Sequence, residues 1–444
     1  MLGPTDPSPP VASLSADAPE IADLRARAIA DGTVRVIVGL DVSIAAEGRL
    51  SRSAVDAQHS TIRAAQDAVL ARVPEATVNR RYVSVPALAL DVTEKALIEL
   101  LATPGVSTIT EDAIGTTALK DSTRVIGARR MWANGNVGTS WAVAVLDTGI
   151  MYSHRAFDMS RIAASACFST NSAQSQSFCP GGATSSTARR AAQECPMNVE
   201  GCGHGTHVAA TVAGAQNNRF QGVAPGANLI PIQMFSRFNA SSCGGTPCAR
   251  YYHSDLMAAL DHVLQLSYTH QIAAVNMSLQ GGRYYQACSN VVPGFTQLTE
   301  NLTSRGILLV AASGNSGWSN SQAHPSCDPW IVSVGATNNQ DAVAGFTNLL
   351  ATGAWLMAPG VGIEAAYPPG KGNRAALSGT SMASPHVAGA VALLRSVRQR
   401  ATGIEIYTAL FCSGKAVARP GLAVAFPRIQ LPQALRALRR GTTC

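Results

Sequence analysis

From Val34 onward the chain alternates apolar runs of strand type with amphipathic stretches of helical period. VRVIVGLDV reads as a strand, TIRAAQDAVLARV as a helix, YVSVPALALDV as one or two strands, TEKALIELLATPG as a helix and VSTIT as a strand. In the first helix Ile62, Ala65, Val69 and Val73 fall close to a 3.6-residue period. The second has Thr93 as its N-cap and Gly105 beyond its last turn. The order β-α-β-β-α-β predicts a small ferredoxin-like α+β unit over residues 31–119. Ahead of it, a segment rich in Pro, Ser and Asp without periodicity predicts a disordered leader over residues 1–30.

Beyond about residue 125 the apolar runs lengthen. WAVAVLDTGI, NLIPIQMF, IAAVNMSLQ, GILLVAAS and WIVSVGAT are near-continuous, as strands buried on both faces of a parallel sheet require. Helices are predicted at HGTHVAATVAG, SDLMAALDHVLQL, FTQLTENLTSRG and SPHVAGAVALLRSVRQR. Residues 120–444 are therefore expected to form an α/β domain, a doubly wound, mainly parallel sheet with helices on both faces. Its site should lie beyond the C-terminal strand ends.

Composition narrows the function classes. A chain of 444 residues that is 46% apolar and 14% charged has ample material for a core. It lacks an uninterrupted apolar run of about 18 residues, which argues against a membrane span. The net charge of +7 is uneven: residues 1–119 hold ten Lys+Arg against fifteen Asp+Glu, the remainder twenty-four against twelve. With no dense basic run interleaved with aromatics before Arg436, Arg439 and Arg440, this reads as a basic domain facing an acidic partner segment, not as a nucleic-acid binder.

All ten cysteines follow residue 166, six of them between Cys167 and Cys248 in Gly/Ser/Pro-rich stretches. Such a distribution suits loop-stapling disulfides in an oxidising compartment. Pairing near neighbours gives Cys167–Cys179, Cys195–Cys202 and Cys243–Cys248, with Cys288–Cys327 and Cys412–Cys444 left over, although sequence alone does not fix connectivity. A metal cluster of Cys195, Cys202 and His204 is the alternative, without the second close Cys pair usual for zinc. Secretion or periplasmic export is expected, yet the first twenty residues lack the basic start and apolar core of a signal peptide, so the signal has been trimmed or export takes another route.

Three segments carry candidate chemistry. Asp147 ends the strand in VAVLDTGI, His204 stands between two glycines in GHGTHVAATVAG, and Ser381 precedes a helical stretch in GTSMASPHVAG, with Pro385 near its first turn. Singly, each has a bland reading: a turn aspartate, a packed histidine, a helix cap. Together, and in the order Asp, His, Ser, they resemble the active-site segments of the subtilisin-like serine proteases. An α/β-hydrolase would place its serine first and between two glycines; a carboxylate-type serine peptidase would have Glu in place of His204.

The resemblance implies a secreted serine endopeptidase made as a self-processing zymogen. Ser381 would be the nucleophile, His204 the general base, Asp147 its orienting carboxylate, and Asn315 in VAASGNSG the side-chain oxyanion donor. His207 and His386 would be structural. NMSLQGG resembles the segment that pairs with an extended polypeptide substrate through Ser278, Leu279 and Gln280; the family commonly has glycine at position 280, so a side chain there narrows the cleft. Ala311, Ala312, Ser313 and Gly314 would form the opposite wall, and Cys327 just downstream would tether a pocket loop. Neither wall carries an acid, favouring neutral or apolar residues before the cut. The α+β unit, ending in GVSTITEDAIGTTAL, resembles the family's inhibitor-type propeptide, with autocleavage near Ala118 or Leu119.

No cofactor is implied for the chemistry. Structural calcium is common in relatives, but here the usual site is degraded: AQNNRFQG is about one residue short of the family's calcium loop, and Ala156 stands where an aspartate often ligates. The expected partners are polypeptide substrates and the protein's own propeptide, with no nucleic acid or membrane, and the expected state is a monomer. The rival is a binding protein on the same fold, its cleft capped by a retained propeptide.

Overall fold

The computed structural model describes residues 19–112, 114–115, 122–215, 221–289, 291–350, 352–353, 355–370, 372–419, 424–441 and 444. The N-terminal unit runs α1 (Pro19–Asp31), β1 (Val34–Leu40), α2 (Arg52–Leu70), β2 (Thr77–Arg81), β3 (Ala87–Val92), α3 (Glu94–Leu101), β4 (Val106–Glu111). Its strands are antiparallel in the order β2-β3-β1-β4, consistent with the ferredoxin-like expectation. Ser51 caps α2 at Ala54 N, and Thr93 caps α3 at Ala96 N as the sequence predicts.

Two expectations need correction. Residues 19–30, assigned to a disordered leader, belong to α1, because Ile21, Leu24 and Ala28 share one helical face and bury it against Val34, Val36 and Val38. The second strand of the unit is Thr77–Arg81, upstream of the apolar run read as one or two strands. Its sequence TVNRR has no apolar alternation to announce it, and Arg80 and Arg81 serve instead in ion pairs with Asp255 and Asp67.

All five apolar runs beyond residue 125 are strands of one ten-stranded sheet. Ala142–Asp147 lies between Asn228–Gln233 and Ile272–Met277, followed by Leu308–Ala312, Ile331–Thr337 and Trp355–Pro359, all parallel. Alternate residues of the first strand feed two cores. Val143 and Val145 pack with Val208, Val212, Val387 and Val391 of the helices His204–Ala213 and Thr380–Val397. Ala144 and Leu146 face Leu256, Leu260, Leu298 and Leu302 of the helices His253–Leu266 and Phe295–Ser304 on the other side. The sheet is thus covered on both faces, and its parallel strands bring Asp147 and the segments after Met277 and Ala312 to one edge.

The helix expected from Ser384 begins four residues earlier, at Thr380, so Ser381 lies within its first turn and Pro385 in the second. Disulfides join Cys167–Cys179, Cys195–Cys202 and Cys243–Cys248, the pairs that proximity in sequence suggested, and Cys288–Cys327 and Cys412–Cys444, the pairs left over. Among the described residues no helix is long and apolar enough to cross a membrane.

Candidate active site

Asp147 and His204 are both about 1% exposed, and His204 Nδ1 lies 2.6 Å from Asp147 Oδ1. Since the carboxylate accepts, Nδ1 is assigned as the proton donor, which leaves Nε2 as the acceptor of a neutral ring. Asp147 Oδ1 also accepts from Thr148 N at 2.7 Å. Close backbone approach makes this possible: a Cβ on Gly205 would sit 2.2 Å from the carbonyl oxygen of Gly149. The glycine after His204 lets the helix start press against the loop after Asp147.

Ser381 occupies the second position of its helix and is 1% exposed. Its hydroxyl donates to the Ser278 carbonyl at 3.1 Å, while Ser278 Oγ donates to the Ser381 carbonyl at 2.6 Å. Asn276 Nδ2 donates to Ser278 Oγ, and Ser384 Oγ donates to Asn276 Oδ1. This chain of bonds fixes the serine turn to the end of the strand Ile272–Met277.

Asn315 is oriented from the same turn. Its Oδ1 accepts from Thr380 N at 2.8 Å and Thr380 Oγ1 at 3.1 Å, which leaves its buried NH2 group without an acceptor among the described residues. A buried unpaired donor costs about 1–3 kcal/mol. Here it is held next to the residue preceding Ser381, beside the N–H groups of a helix N-terminus that favour negative charge. Gly314, at φ 107°, turns the chain in the left-handed region, and a Cβ there would meet Asn348 Nδ2 at 2.1 Å.

The remaining predicted residues divide. Gln280 reaches across to the opposite segment, where its Oε1 accepts from Asn315 N at 2.9 Å. Leu279, Ala311 and Ala312 are fully buried, Leu279 and Ala311 in one apolar core. Ser313 is buried, and its carbonyl accepts from Ala323 N at 3.2 Å. Cys327 is bonded to Cys288. His207 Nε2 lies 3.2 Å from the carbonyls of Ile363 and Ala375, and His386 Nδ1 lies 2.6 Å from that of Met382. Burial pushes His386 down to about 4.

The metal alternative fails, because Cys195 and Cys202 form a disulfide and His204 is engaged with Asp147. Ala156, which offers no ligand side chain, is packed in the apolar core, and the nearby Asp158 Oδ1 accepts from Ser160 N and Oγ. Residues 216–220 of the corresponding loop lie outside the described residues.

Sequence reasoning missed the strand Cys248–Tyr252. The N-terminal unit sends a two-residue strand, β5 (Ile114–Gly115), antiparallel onto it, pairing Ile114 with Tyr252 and Gly115 with Tyr251. Asp112 anchors the approach: Oδ1 accepts from Ser254 N at 2.6 Å, at the start of the helix His253–Leu266, and Oδ2 accepts from Arg35 Nε at 2.6 Å. Arg80 pairs with Asp255, and Asp261 accepts from Val83 N, Ser84 N and Ser84 Oγ. Aromatic residues ahead of a helix hinted at a strand, but its partners are distant in sequence, Ser236–Phe238 on one side and the N-terminal unit on the other. Ala118 and Leu119, the expected cleavage point, lie outside the described residues.

The sequence profile of the subtilase family matches residues 138–422. The alkaline protease of Alkalihalobacillus alcalophilus is 30% identical over 331 residues, 73% of each chain. Subtilisin E of Bacillus subtilis (strain 168) is 30% identical over 335 residues, 73% of this chain and 74% of the subtilisin. Subtilisin DY of Bacillus licheniformis is 33% identical over 278 residues, 61% of this chain and 82% of its own. The solved structure of the prenylagaramide maturation protease PagA aligns with a TM-score of 0.53 at 20% identity, covering 70% of this chain and 98% of its own, a likeness of fold. The chain belongs to the subtilase family. It is a subtilisin-like serine endopeptidase, a hydrolase whose family uses no cofactor for catalysis.

Proposed function

We propose that Asp147, His204 and Ser381 form the catalytic triad of a self-processing, secreted or periplasmic endopeptidase that acts as a monomer, with Asn315 as oxyanion donor. The observation that carries this reading is the buried 2.6 Å bond between His204 Nδ1 and Asp147 Oδ1. It holds the imidazole in the tautomer whose Nε2 accepts a proton. Ser381 Oγ attacks the peptide carbonyl carbon as its proton passes to His204, and negative charge develops on the carbonyl oxygen, where Asn315 Nδ2 donates. The C–N bond then breaks, His204 returns the proton to the leaving amine, and water hydrolyses the serine ester by the reverse sequence.

The N-terminal unit acts first as an inhibitor. A strand laid antiparallel on Cys248–Tyr252 has the geometry of a bound extended peptide; it also lies against the segment Gly281–Tyr284, and the cut would fall near Ala118 or Leu119. Neutral or apolar residues precede the cut. The test is intact mass and N-terminal sequencing of the full chain beside a Ser381→Ala variant. A new N-terminus near residue 119 in the wild type alone is expected; an uncut chain in both favours the capped binding protein.

A further inference from the structure

Glu194 belongs to none of the three motifs. It precedes Cys195, whose disulfide with Cys202 closes the loop leading into His204. As a residue it is half-buried, with its carboxyl group enclosed. Oε1 accepts from Thr148 Oγ1 at 2.8 Å and Cys195 N at 3.2 Å; Oε2 accepts from Thr206 N at 3.0 Å and Thr206 Oγ1 at 2.7 Å.

Those partners belong to both halves of the Asp–His pair. Thr148 follows Asp147 and donates its own N–H to that carboxylate, while its Oγ1 accepts from Gly205 N at 2.8 Å. Thr206 lies in the first turn of the histidine helix, and its Oγ1 also accepts from Met151 N at 2.8 Å. The Glu194 segment is itself pinned to the aspartate loop, Ile150 N donating to the Ala192 carbonyl and Glu194 N to the Ile150 carbonyl. One carboxylate therefore closes a ring of hydrogen bonds around the junction of the aspartate loop and the histidine helix.

We propose that Glu194 is a positioning residue for Asp147 and His204, its ionised carboxylate clamping the loop after the aspartate to the first turn of the histidine helix. The inference rests on the triad reading above. An ionised carboxylate only accepts, and its contacts here, the Gly203 backbone included, are neutral donors. A proton on either oxygen turns one acceptor into a donor facing a donor and opens the ring. Titratable or charged groups on the surrounding elements are Asp147, His204, His207 and Tyr367, the last donating from its hydroxyl to the Cys202 carbonyl. Burial raises Glu194 to about 7 against these hydrogen bonds, so the clamp would loosen just below neutrality.

The readout is the acid limb of log kcat/KM against pH for a peptide anilide, using the processed enzyme. With two groups required in their deprotonated forms, His204 and Glu194, the wild-type limb should approach a slope of two between about pH 5 and 7, and Glu194→Gln should bring it to one. A purely structural role would lower the rate of Glu194→Gln and leave the slope as in the wild type. A slope of one in the wild type overturns the proposal even where the variant fails to accumulate. A wild type that hydrolyses nothing at any pH overturns the protease reading, and this inference with it.

Discussion

Ser278 and Ser381 exchange hydrogen bonds, the hydroxyl of each donating to the carbonyl of the other. The helix explains one half of the exchange. Pro385 stands four residues after Ser381 and has no N–H, so the Ser381 carbonyl lacks its intrahelical donor. Ser278 Oγ takes that place at 2.6 Å. Ser278→Ala should therefore lower stability by about 1–3 kcal/mol, since a buried carbonyl loses its partner. Denaturant unfolding in the Ser381→Ala background, where autolysis cannot intervene, measures it. A change under about 0.5 kcal/mol would show the carbonyl is satisfied otherwise.

Gln280 bridges two segments that flank Ser381, its amide oxygen on Asn315 N. A side chain spanning that gap limits the room for the residue preceding the cut. The enzyme should prefer small neutral residues there. Gln280→Gly should raise kcat/KM for a Phe substrate relative to its Ala counterpart by about tenfold or more. An unchanged ratio in a variant that remains active would mean the space lies elsewhere.

Asn315→Ala removes the unpaired buried amide. The expected loss is about 10²–10³ in kcat with KM little changed, the size that removal of the corresponding donor has in subtilisin, a relative of this protein. Steady-state kinetics decide; a loss confined to KM would make Asn315 a substrate contact only.

Stability of the N-terminal unit should depend on pH through His59. Its Nε2 lies 2.6 Å from Glu47 Oε1, and Glu47 Oε2 accepts from Tyr268 Oη across the interface at 2.6 Å. The bond to Glu47 holds the imidazole above its ordinary value, with burial opposing. A raised value in the folded state means that the contribution is complete below about pH 6.5 and is lost as pH rises through the raised value. Amide exchange of the Ser381→Ala chain, corrected for intrinsic rates, should show protection around residues 47–62 falling from about pH 6 to 9. His59→Gln should flatten that dependence. Protection that stays level in the parent chain would contradict this role.

Much of the fold was legible because parallel strands buried on both faces leave near-continuous apolar runs, as in VAVL before Asp147 and LLVAA before Asn315. The disulfides were legible where their loops are short, as at Cys243–Cys248. What escaped depends on contacts between distant segments. TVNRR forms a strand because β3 offers it an edge, and Cys248–Tyr252 acquires a substrate-like partner only from the N-terminal unit. The residues Thr380 to Ala383 ahead of Ser384 read as loop, yet they form the first helical turn, since Ser278 and Asn315 supply bonds that the local sequence lacks. Glu194 looks like any charged loop residue until the fold encloses its carboxylate.

The account turns on Ser381 as the nucleophile, and a fluorophosphonate probe with intact-mass readout tests that most directly. The processed wild type should gain one phosphonyl group, mapped to the peptide containing Ser381, while Ser381→Ala and heat-unfolded wild type gain none. A processed, folded wild type that stays unlabelled, or a label mapped to another serine, would contradict it.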